Sequence, residues 1–384
     1  MIDWKSNKRQ AIAFGAMALL AGCKVIPKGP VDSAPAPAPV PNANVLPADQ
    51  QRHRVAILVP TSGPNGGIGQ ALANSANMAL LDTNASNLRI TTYDTSSGPA
   101  DAATRAIADG NKLIIGPLMG EDVAAVARVA RPARVPIISF SNDGSVAGRD
   151  VFIMGSLPNQ SIARSVAWAR SQGARRFGAL LPEGAYGLRA SAALNTAVSE
   201  AGGAVVASEV FARSNPSIIS AAKRLRGKGP LDAVLIADGS RFAIQAAPQL
   251  RPGAVGPRLI GTELWSGDAD VLSSPSLRGA WYAAVSDSRF KQFSESYRNR
   301  FGAQPYRVAT MGYDAVLLTL RVARGWKPGT TFPTARLYDA DGFLGLDGAF
   351  RFGSNGIVER ALEVVEVRKG GITVVSPAPA RFAP

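Results

Sequence analysis

Short apolar runs alternate along the chain with longer stretches in which apolar residues recur every three or four positions. The runs predict strands near residues 55–60, 88–94, 113–115, 136–140, 177–181, 205–211, 233–237 and 259–260. The stretches between them predict helices near residues 70–83, 100–109, 122–133, 160–172, 188–201, 217–226 and 241–250. Apolar strands that alternate with helices are typical of parallel sheets covered on both faces. The pattern therefore predicts an α/β protein.

The pattern changes after residue 280. Two helices are predicted at 289–301 and 308–324, and apolar segments follow at 348–352, 362–368 and 372–375. The last two segments flank Lys369-Gly370-Gly371 and predict a β-hairpin with a glycine turn. The folded body of about 325 residues exceeds the usual size of one hydrophobic core, so two domains are expected.

The N-terminal segment has the form of an export signal. Lys5, Lys8 and Arg9 precede an apolar stretch at residues 11–20, and the single cysteine, Cys23, follows Leu20-Ala21-Gly22. The apolar stretch has the length of a signal-peptide core and is too short to span a bilayer. The arrangement resembles the lipobox of bacterial lipoproteins, which implies a signal peptide at residues 1–22 and lipidation of Cys23. A truncated transmembrane anchor with an unrelated cysteine is the alternative.

Residues 23–51 are rich in Pro and Ala, which predicts an extended tether between the lipid and the folded body. A proline-rich docking ligand is the alternative for this segment. Residues 376–384 have a similar composition and are expected to form a flexible tail. By resemblance, Lys24 favours the periplasmic face of the outer membrane, because an acidic residue in that place tends to retain lipoproteins at the inner membrane.

The chain has 42 Lys and Arg residues against 28 Asp and Glu residues, a net charge of +14. Nucleic acid is not expected as a partner in an exported compartment. Anionic headgroups, cell-wall polymer or an acidic protein face suit such a surface better, although solvated helix faces explain the same charge.

Several motifs occur in a characteristic order along the body. They are Tyr93-Asp94, Ile115-Gly116-Pro117-Leu118, Pro136-Ile137-Ile138-Ser139, Tyr186-Gly187, Gly261-Thr262-Glu263, Gly312-Tyr313-Asp314-Ala315 and Gly348-Ala349-Phe350-Arg351-Phe352. Together they resemble type I periplasmic binding proteins of the leucine-binding class, over about residues 54–375. The resemblance implies two doubly wound parallel-sheet lobes joined by three crossovers, with lobe 1 at 52–156 and 285–324 and lobe 2 at 157–284 and 325–375. A ligand crevice is expected between the lobes, at the carboxyl ends of the strands.

The resemblance also implies which residues line this crevice. The candidates are Ser62, Gly63, Gly66, Gly67, Leu118, Met119, Gly120, Ser139, Ser141, Asn142, Tyr186, Asp238 and Glu263. Each type has another explanation: a flexible turn for the glycines, capping for Ser and Asn, packing for Tyr186 and surface solvation for Glu263. In the family, the ligand carboxylate is held after the Gly-Pro-Leu strand end, and an acid such as Glu263 pairs with a ligand ammonium. Here Glu121 and Asp122 follow that strand end, where they would repel an anion or simply complement the helix dipole.

Catalysis finds little support in the sequence. His53 is the only histidine, so neither a Ser/His/Asp triad nor a histidine metal site can be built. Ser220-Ala221-Ala222-Lys223 matches a serine-enzyme motif, but its usual partner motifs are lacking. No enzyme activity, cofactor or metal is therefore expected.

Two functions remain, and both are implied by resemblance. The favoured one is a penicillin-binding protein activator: an outer-membrane lipoprotein that regulates peptidoglycan synthesis by contacting a peptidoglycan synthase (a penicillin-binding protein). The lipobox, the tether, the basic body and the acidic pair at residues 121–122 favour it. The alternative is the solute-binding lipoprotein of an ABC importer for branched-chain amino acids or amides. Whether a small polar ligand occupies the crevice is left open.

We expect Cys23→Ser to release the protein from the membrane or to stall its precursor. Acylation supplies the membrane affinity, and two or more chains make the attachment stable. Membrane fractionation with detergent-free washes measures the effect. A variant that remains in the membrane fraction like the parent would contradict the lipoprotein hypothesis.

Overall fold

A computed structural model describes residues 51–380 and residue 382. The predicted signal peptide, Cys23 and the tether up to residue 50 lie outside this range. Within the described residues, no helix combines the length and the apolar character needed to cross a membrane.

The first part of the chain alternates strands and helices as predicted. Its elements are β1 (His53–Val59), α1 (Gly66–Asp82), β2 (Leu88–Asp94), α2 (Pro99–Ala108), β3 (Leu113–Ile115), α3 (Gly120–Ala130), β4 (Ile137–Ser139) and β5 (Val151–Ile153). The strands form a five-stranded parallel sheet in the order β2-β1-β3-β4-β5. Its central strands are buried on both faces, which explains their continuous apolar runs.

The alternation continues in the second part. Its elements are α4 (Pro158–Ser171), β6 (Arg176–Pro182), α5 (Ala185–Glu200), β7 (Ala204–Phe211), α6 (Ser217–Arg226), β8 (Ala233–Ile236), α7 (Ser240–Leu250), β9 (Arg258–Ile260), α8 (Ala269–Ser273) and β10 (Trp281–Ala284). The five strands β6 to β10 run parallel to one another, in the order β10-β9-β8-β6-β7.

The C-terminal part completes both bodies. Its elements are α9 (Phe290–Phe301), α10 (Thr310–Ala323), β11 (Phe343–Gly345), β12 (Gly348–Phe352), β13 (Val358–Arg360), β14 (Glu363–Arg368) and β15 (Gly371–Ser376). Strands β14 and β15 form the predicted hairpin and extend the second sheet antiparallel, in the order β15-β14-β10-β9-β8-β6-β7. Gly370, in the turn of the hairpin, has a φ of 77°, which favours glycine. The α/β fold class is confirmed.

Residues 326–358 differ from the expected division of the chain. The prediction placed residues 325–375 in lobe 2, but Trp326, Phe343, Phe350 and Phe352 share a hydrophobic core with the first sheet. The ring of Phe352 packs edge-on against Phe152, with centroids 5.5 Å apart. Strands β11, β12 and β13 form a separate three-stranded sheet on this core. Short strands carry no clear period, so the sequence did not show which core they join.

The same close turn joins strand to helix at the start of each body. A Cβ atom at Gly69 would lie 1.8 Å from the carbonyl oxygen of Pro60, and one at Gly187 would lie 1.8 Å from that of Pro182. Glycine therefore lets α1 and α5 pack directly against the ends of β1 and β6. As a result, α1 begins four residues before the predicted start, and Gly66 and Gly67 lie in its first turn.

Helix α10 packs against α1 through another glycine. A Cβ atom at Gly312 would lie 2.2 Å from the backbone carbonyl oxygen of Leu72, which cannot move aside as a flexible side chain would. We expect Gly312→Ala to lower the free energy of unfolding by about 1–3 kcal/mol, the usual cost of overpacking. Denaturant unfolding measures the change.

Gly371→Ala is the matched control, because a Cβ atom there meets nothing within 4 Å. Equal stability of the two variants would contradict the proposed tight contact between α1 and α10.

Candidate ligand-binding site

A cavity of about 330 Å³ lies where the carboxyl ends of the strands of both sheets meet. Its walls come from both bodies and from the segments that connect them. The lining residues are Asn65, Ile68, Leu118, Met119, Gly120, Phe140, Asn142, Ser156, Leu157, Gln160, Ser161, Glu263, Leu264, Ser266, Ala284, Val285, Arg307, Val308, Met311, Asp347, Arg360 and Leu362. Parallel α/β sheets place ligands at this edge, because the loops that follow the strands gather there.

Most of the cavity wall is apolar. Ile68 and Leu118 come from the first body, Leu264 from the second, and Val285 and Met311 from the chain that follows β10. Phe140, directly after β4, adds an aromatic ring that is almost completely buried. Such a wall suits the hydrocarbon part of a small ligand.

Glu263 is the first polar feature of the wall. Its Oε1 accepts a hydrogen bond from the Tyr186 hydroxyl at 2.8 Å, and its Oε2 has no partner in the described part of the chain. The Tyr186 oxygen also lies 3.1 Å from the Thr262 hydroxyl. Burial raises the pKa of Glu263 to about 7, against the opposing effects of the Tyr186 hydrogen bond and the positive charge of Arg189.

Arg307 is the second polar feature, and it is paired with carboxylates, although its Nη2 has no hydrogen-bond partner among the described residues. Its Nη1 donates to Asp347 Oδ1 at 2.7 Å, and its Nε lies 3.2 Å from both Asp287 Oδ1 and the Ser266 hydroxyl. Burial alone would lower the pKa of Arg307, but the charges of Asp347 and Asp287 raise it overall. The Thr310 hydroxyl donates to Asp347 Oδ2 at 3.0 Å. These contacts hold the guanidinium in its charged form.

Arg360, at the end of β13, is the third polar feature. Its Nη2 donates to the Met154 carbonyl oxygen at 2.7 Å, but its Nε and Nη1 have no hydrogen-bond partner within residues 51–380. The residue is 8% exposed. Burial lowers the pKa of Arg360, although the charges of Asp347 and Asp314 act in the opposite direction.

Five predicted site residues line the cavity: Leu118, Met119, Gly120, Asn142 and Glu263.

Three further predicted residues support the site from behind. Tyr186 holds Glu263, as described above. Ser139 donates its hydroxyl to the Pro117 carbonyl oxygen at 2.8 Å and accepts from the Ser141 amide at 3.1 Å. Ser139 and Ser141 are therefore buried parts of the loop structure beneath Gly120.

The other predicted residues lie elsewhere. The Ser62 amide donates to the Ser96 hydroxyl at 3.2 Å, which ties the loop that contains Gly63 to the loop after β2. Gly66 and Gly67 are not among the lining residues. Asp238 forms an ion pair with Arg213, with Nε and Oδ2 2.8 Å apart. These positions follow strand ends, as predicted. Because α1 begins at Gly66, the loop after β1 is shorter than predicted, and Gly63, Gly66 and Gly67 are not among the lining residues.

The sequence interpretation missed Gln160, Ser266, Arg307, Asp347 and Arg360. One signal was visible for Arg360, because it is a charged residue directly before the apolar pair Ala361-Leu362. The others come from segments that are remote in sequence, and only the fold brings them together.

The acidic pair at the start of α3 does not take the expected position. Gly120 lines the cavity, whereas Glu121 and Asp122 are not among its lining residues. Asp122 is half-buried, and burial together with the negative charge of Glu121 raises its pKa. The argument that this pair repels an anionic ligand therefore loses its basis.

Comparisons with known proteins agree with this architecture. A family model described as "Periplasmic binding protein" matches residues 53–371. A leucine binding protein from Thermotoga maritima MSB8 is 18% identical, with a TM-score of 0.66 over 85% of this chain and 99% of that chain. A solute binding protein of an ABC transporter from Rhodopseudomonas palustris BisB5, in complex with 3,4-dihydroxy benzoic acid, is 19% identical, with a TM-score of 0.68 over 85% and 97% of the two chains. These likenesses confirm the predicted fold of the leucine-binding class.

An uncharacterised protein of Rickettsia prowazekii (strain Madrid E) is 27% identical over 178 residues. The match covers 46% of this chain and 47% of that protein, so it spans about half the length of this curated relative.

Glu263 predicts a pH-dependent stability. Because its pKa in the folded protein is about 7, above the ordinary 4.5, the folded state retains a proton that the unfolded state loses. The contribution of Glu263 to the free energy of unfolding is therefore fully present at low pH. It falls by up to about 1.4 kcal/mol per pH unit between about pH 5 and pH 7. We expect Glu263→Gln to remove this contribution.

Denaturant unfolding at several pH values checks this by comparing the slopes of the two proteins. Asp314 is present in both, so its own raised pKa cancels in the comparison. Equal slopes over this range would show that the Glu263 carboxyl titrates normally.

Proposed function

Because the chain belongs to the periplasmic binding protein family, we propose that it is a solute-binding protein that holds a small molecule between its two lobes. The observation that carries this proposal is the cavity itself, whose wall combines residues from both sheets and the connecting segments. Its volume of about 330 Å³ is in the range of small-molecule sites.

The position of the cavity links binding to the arrangement of the lobes. Leu118 belongs to the loop after β3 of the first sheet, whereas Leu264 belongs to the loop after β9 of the second. A ligand that contacts both favours the arrangement in which both contacts are made. Such a protein can present its liganded form to an importer, which is the role we propose.

The similar structures support small organic acids as ligands. One is a leucine binding protein, and the other was solved with 3,4-dihydroxy benzoic acid. Leucine and 3,4-dihydroxy benzoic acid both carry a carboxylate, and both have a hydrocarbon part that an apolar wall would suit, although the ring of the second also bears two hydroxyl groups. We therefore favour the importer receptor over the peptidoglycan synthase regulator.

Contact with a synthase was the favoured expectation from sequence, and one of its supports was a site unsuited to anions. With Glu121 and Asp122 outside the cavity wall, that support is lost. The synthase contact and the outer-membrane location stay predictions. Lipid attachment through Cys23 and a periplasmic location are part of the present proposal, since both suit a receptor that delivers its solute to a membrane permease.

We expect the purified protein to bind a small carboxylic acid or amino acid with stabilisation of about 2.7 kcal/mol at 100 times the dissociation constant. Leu118→Trp places a larger side chain in the cavity wall and should abolish this gain. Thermal unfolding with a panel of such compounds measures it, after any bound solute has been removed by unfolding and refolding.

Leu188→Trp is the matched control. It makes the same substitution on α5 at a side chain that is 74% exposed, and it should bind like the parent. A panel without any stabilising compound, or equal binding by both variants, would count against a ligand site in this cavity.

A further inference from the structure

We infer that the ligand is a small monocarboxylate with a largely apolar body, and that Arg360 is the residue that binds its carboxylate. The inference rests on the proposed function, because it concerns the same cavity. It assigns a role to a residue that lies outside the motifs from which the site was predicted.

Arg360 is a buried cation whose hydrogen bonding is incomplete. One nitrogen donates to a backbone carbonyl, and two others have no partner in the part of the chain that the structure describes. Its guanidinium also lies over the Phe350 ring, 5.4 Å from the centroid, which is a weak contact for a full charge. Burying a cation without a partner is costly, so an anion in the cavity would stabilise it.

The neighbouring carboxylates are already engaged. Asp347 accepts hydrogen bonds from Arg307 and Thr310. Asp314 accepts from the backbone amides of Leu346 and Asp347, at 2.6 Å and 3.3 Å. Neither forms an ion pair with Arg360 within 4.0 Å among the described residues. A ligand carboxylate is the group that matches the paired donors of a guanidinium.

The rest of the ligand is expected to be apolar. The cavity wall next to these charges consists largely of aliphatic and aromatic side chains, including Ile68, Phe140, Leu157 and Met311. A hydrocarbon body would bury its surface against them.

The acids of the cavity wall bear on any further charged group of the ligand. Asp347 and Glu263 are the two acids of the cavity wall. Asp347 is paired with Arg307, with the two atoms 2.7 Å apart. Glu263 Oε1 accepts a hydrogen bond from the Tyr186 hydroxyl, but its Oε2 has no partner among the described residues. Asp347 is therefore already engaged, whereas Glu263 offers one acceptor atom.

Isothermal titration calorimetry on the purified protein with matched ligands tests the inference. Benzoate is compared with benzamide, and isocaproate with isocaproamide, so that only the charge of the head group changes. Leucine is compared with isocaproate, which is the same carbon skeleton without the ammonium. We expect at least one acid to bind at least about tenfold more tightly than its amide, and the comparison of leucine with isocaproate measures what an ammonium group adds.

The variant Arg360→Met should remove the preference for acid over amide, and Arg360→Lys should retain part of it. The stability of the empty protein separates binding from structure. If Arg360 awaits an anion, Arg360→Met leaves the ligand-free melting temperature unchanged or raises it, because an incompletely paired buried charge is removed. A purely structural arginine would instead lower stability with and without ligand alike. Arg128→Met, at an exposed position on α3, is the control for the substitution itself.

Each remaining outcome overturns the inference. Equal binding of acids and amides, or a preference for acids that survives Arg360→Met, would show that another group holds the ligand. In each of these cases, a ligand whose binding is lost in Leu118→Trp would leave the proposed function intact. If none of the five compounds binds, the ligand class assigned here is wrong.

Discussion

The guanidinium of Arg307 connects the parts of the molecule that must come together to form the cavity. It contacts Ser266, which follows β9 of the second sheet, and Asp287, on the chain that leaves that sheet. It also contacts Thr310, at the start of α10, and Asp347, between β11 and β12. One buried cation with several charge-assisted hydrogen bonds thus fixes four segments that are far apart in sequence.

Asp347, which pairs with Arg307, is itself placed by a second carboxylate, Asp314. Asp314 accepts the backbone amides of the turn between β11 and β12, and the same turn carries Asp347 towards Arg307. Burial, and then the negative charge of Asp347, raise the pKa of Asp314. Gly345 is required here, because a Cβ atom would lie 2.4 Å from the Asp314 carboxyl group. The hydrogen bonds of Asp314 to the backbone of the turn, and of Asp347 to Arg307, therefore hold the turn between β11 and β12 in place.

Arg360 stands next to this network without being part of its ion pairs. Arg307 has Asp347 and Asp287 as partners, whereas Arg360 has one backbone carbonyl and an aromatic ring. The two cations of the cavity wall therefore differ in pairing: Arg307 is held by two carboxylates, whereas Arg360 has none within 4.0 Å among the described residues and is the one for which we propose a ligand. Buried charges are costly unless they are compensated, so this difference is the most informative electrostatic feature of the site.

The sequence by itself determined the α/β class, the order of the elements and five of the residues that line the cavity. Buried parallel strands have continuous apolar runs, and loops after such strands gather at one edge, so Leu118 and Glu263 could be placed from local pattern and resemblance. Only the tertiary structure decided which core receives β11 to β13, because three-residue strands have no period that identifies their partner. It also decided the surroundings of each charge: Glu121 and Asp122 lie outside the cavity wall, and Arg307 and Arg360 lie in it. The burial and pairing of a charged side chain depend on segments remote in sequence, and these properties determine whether it repels a ligand, supports the fold or binds.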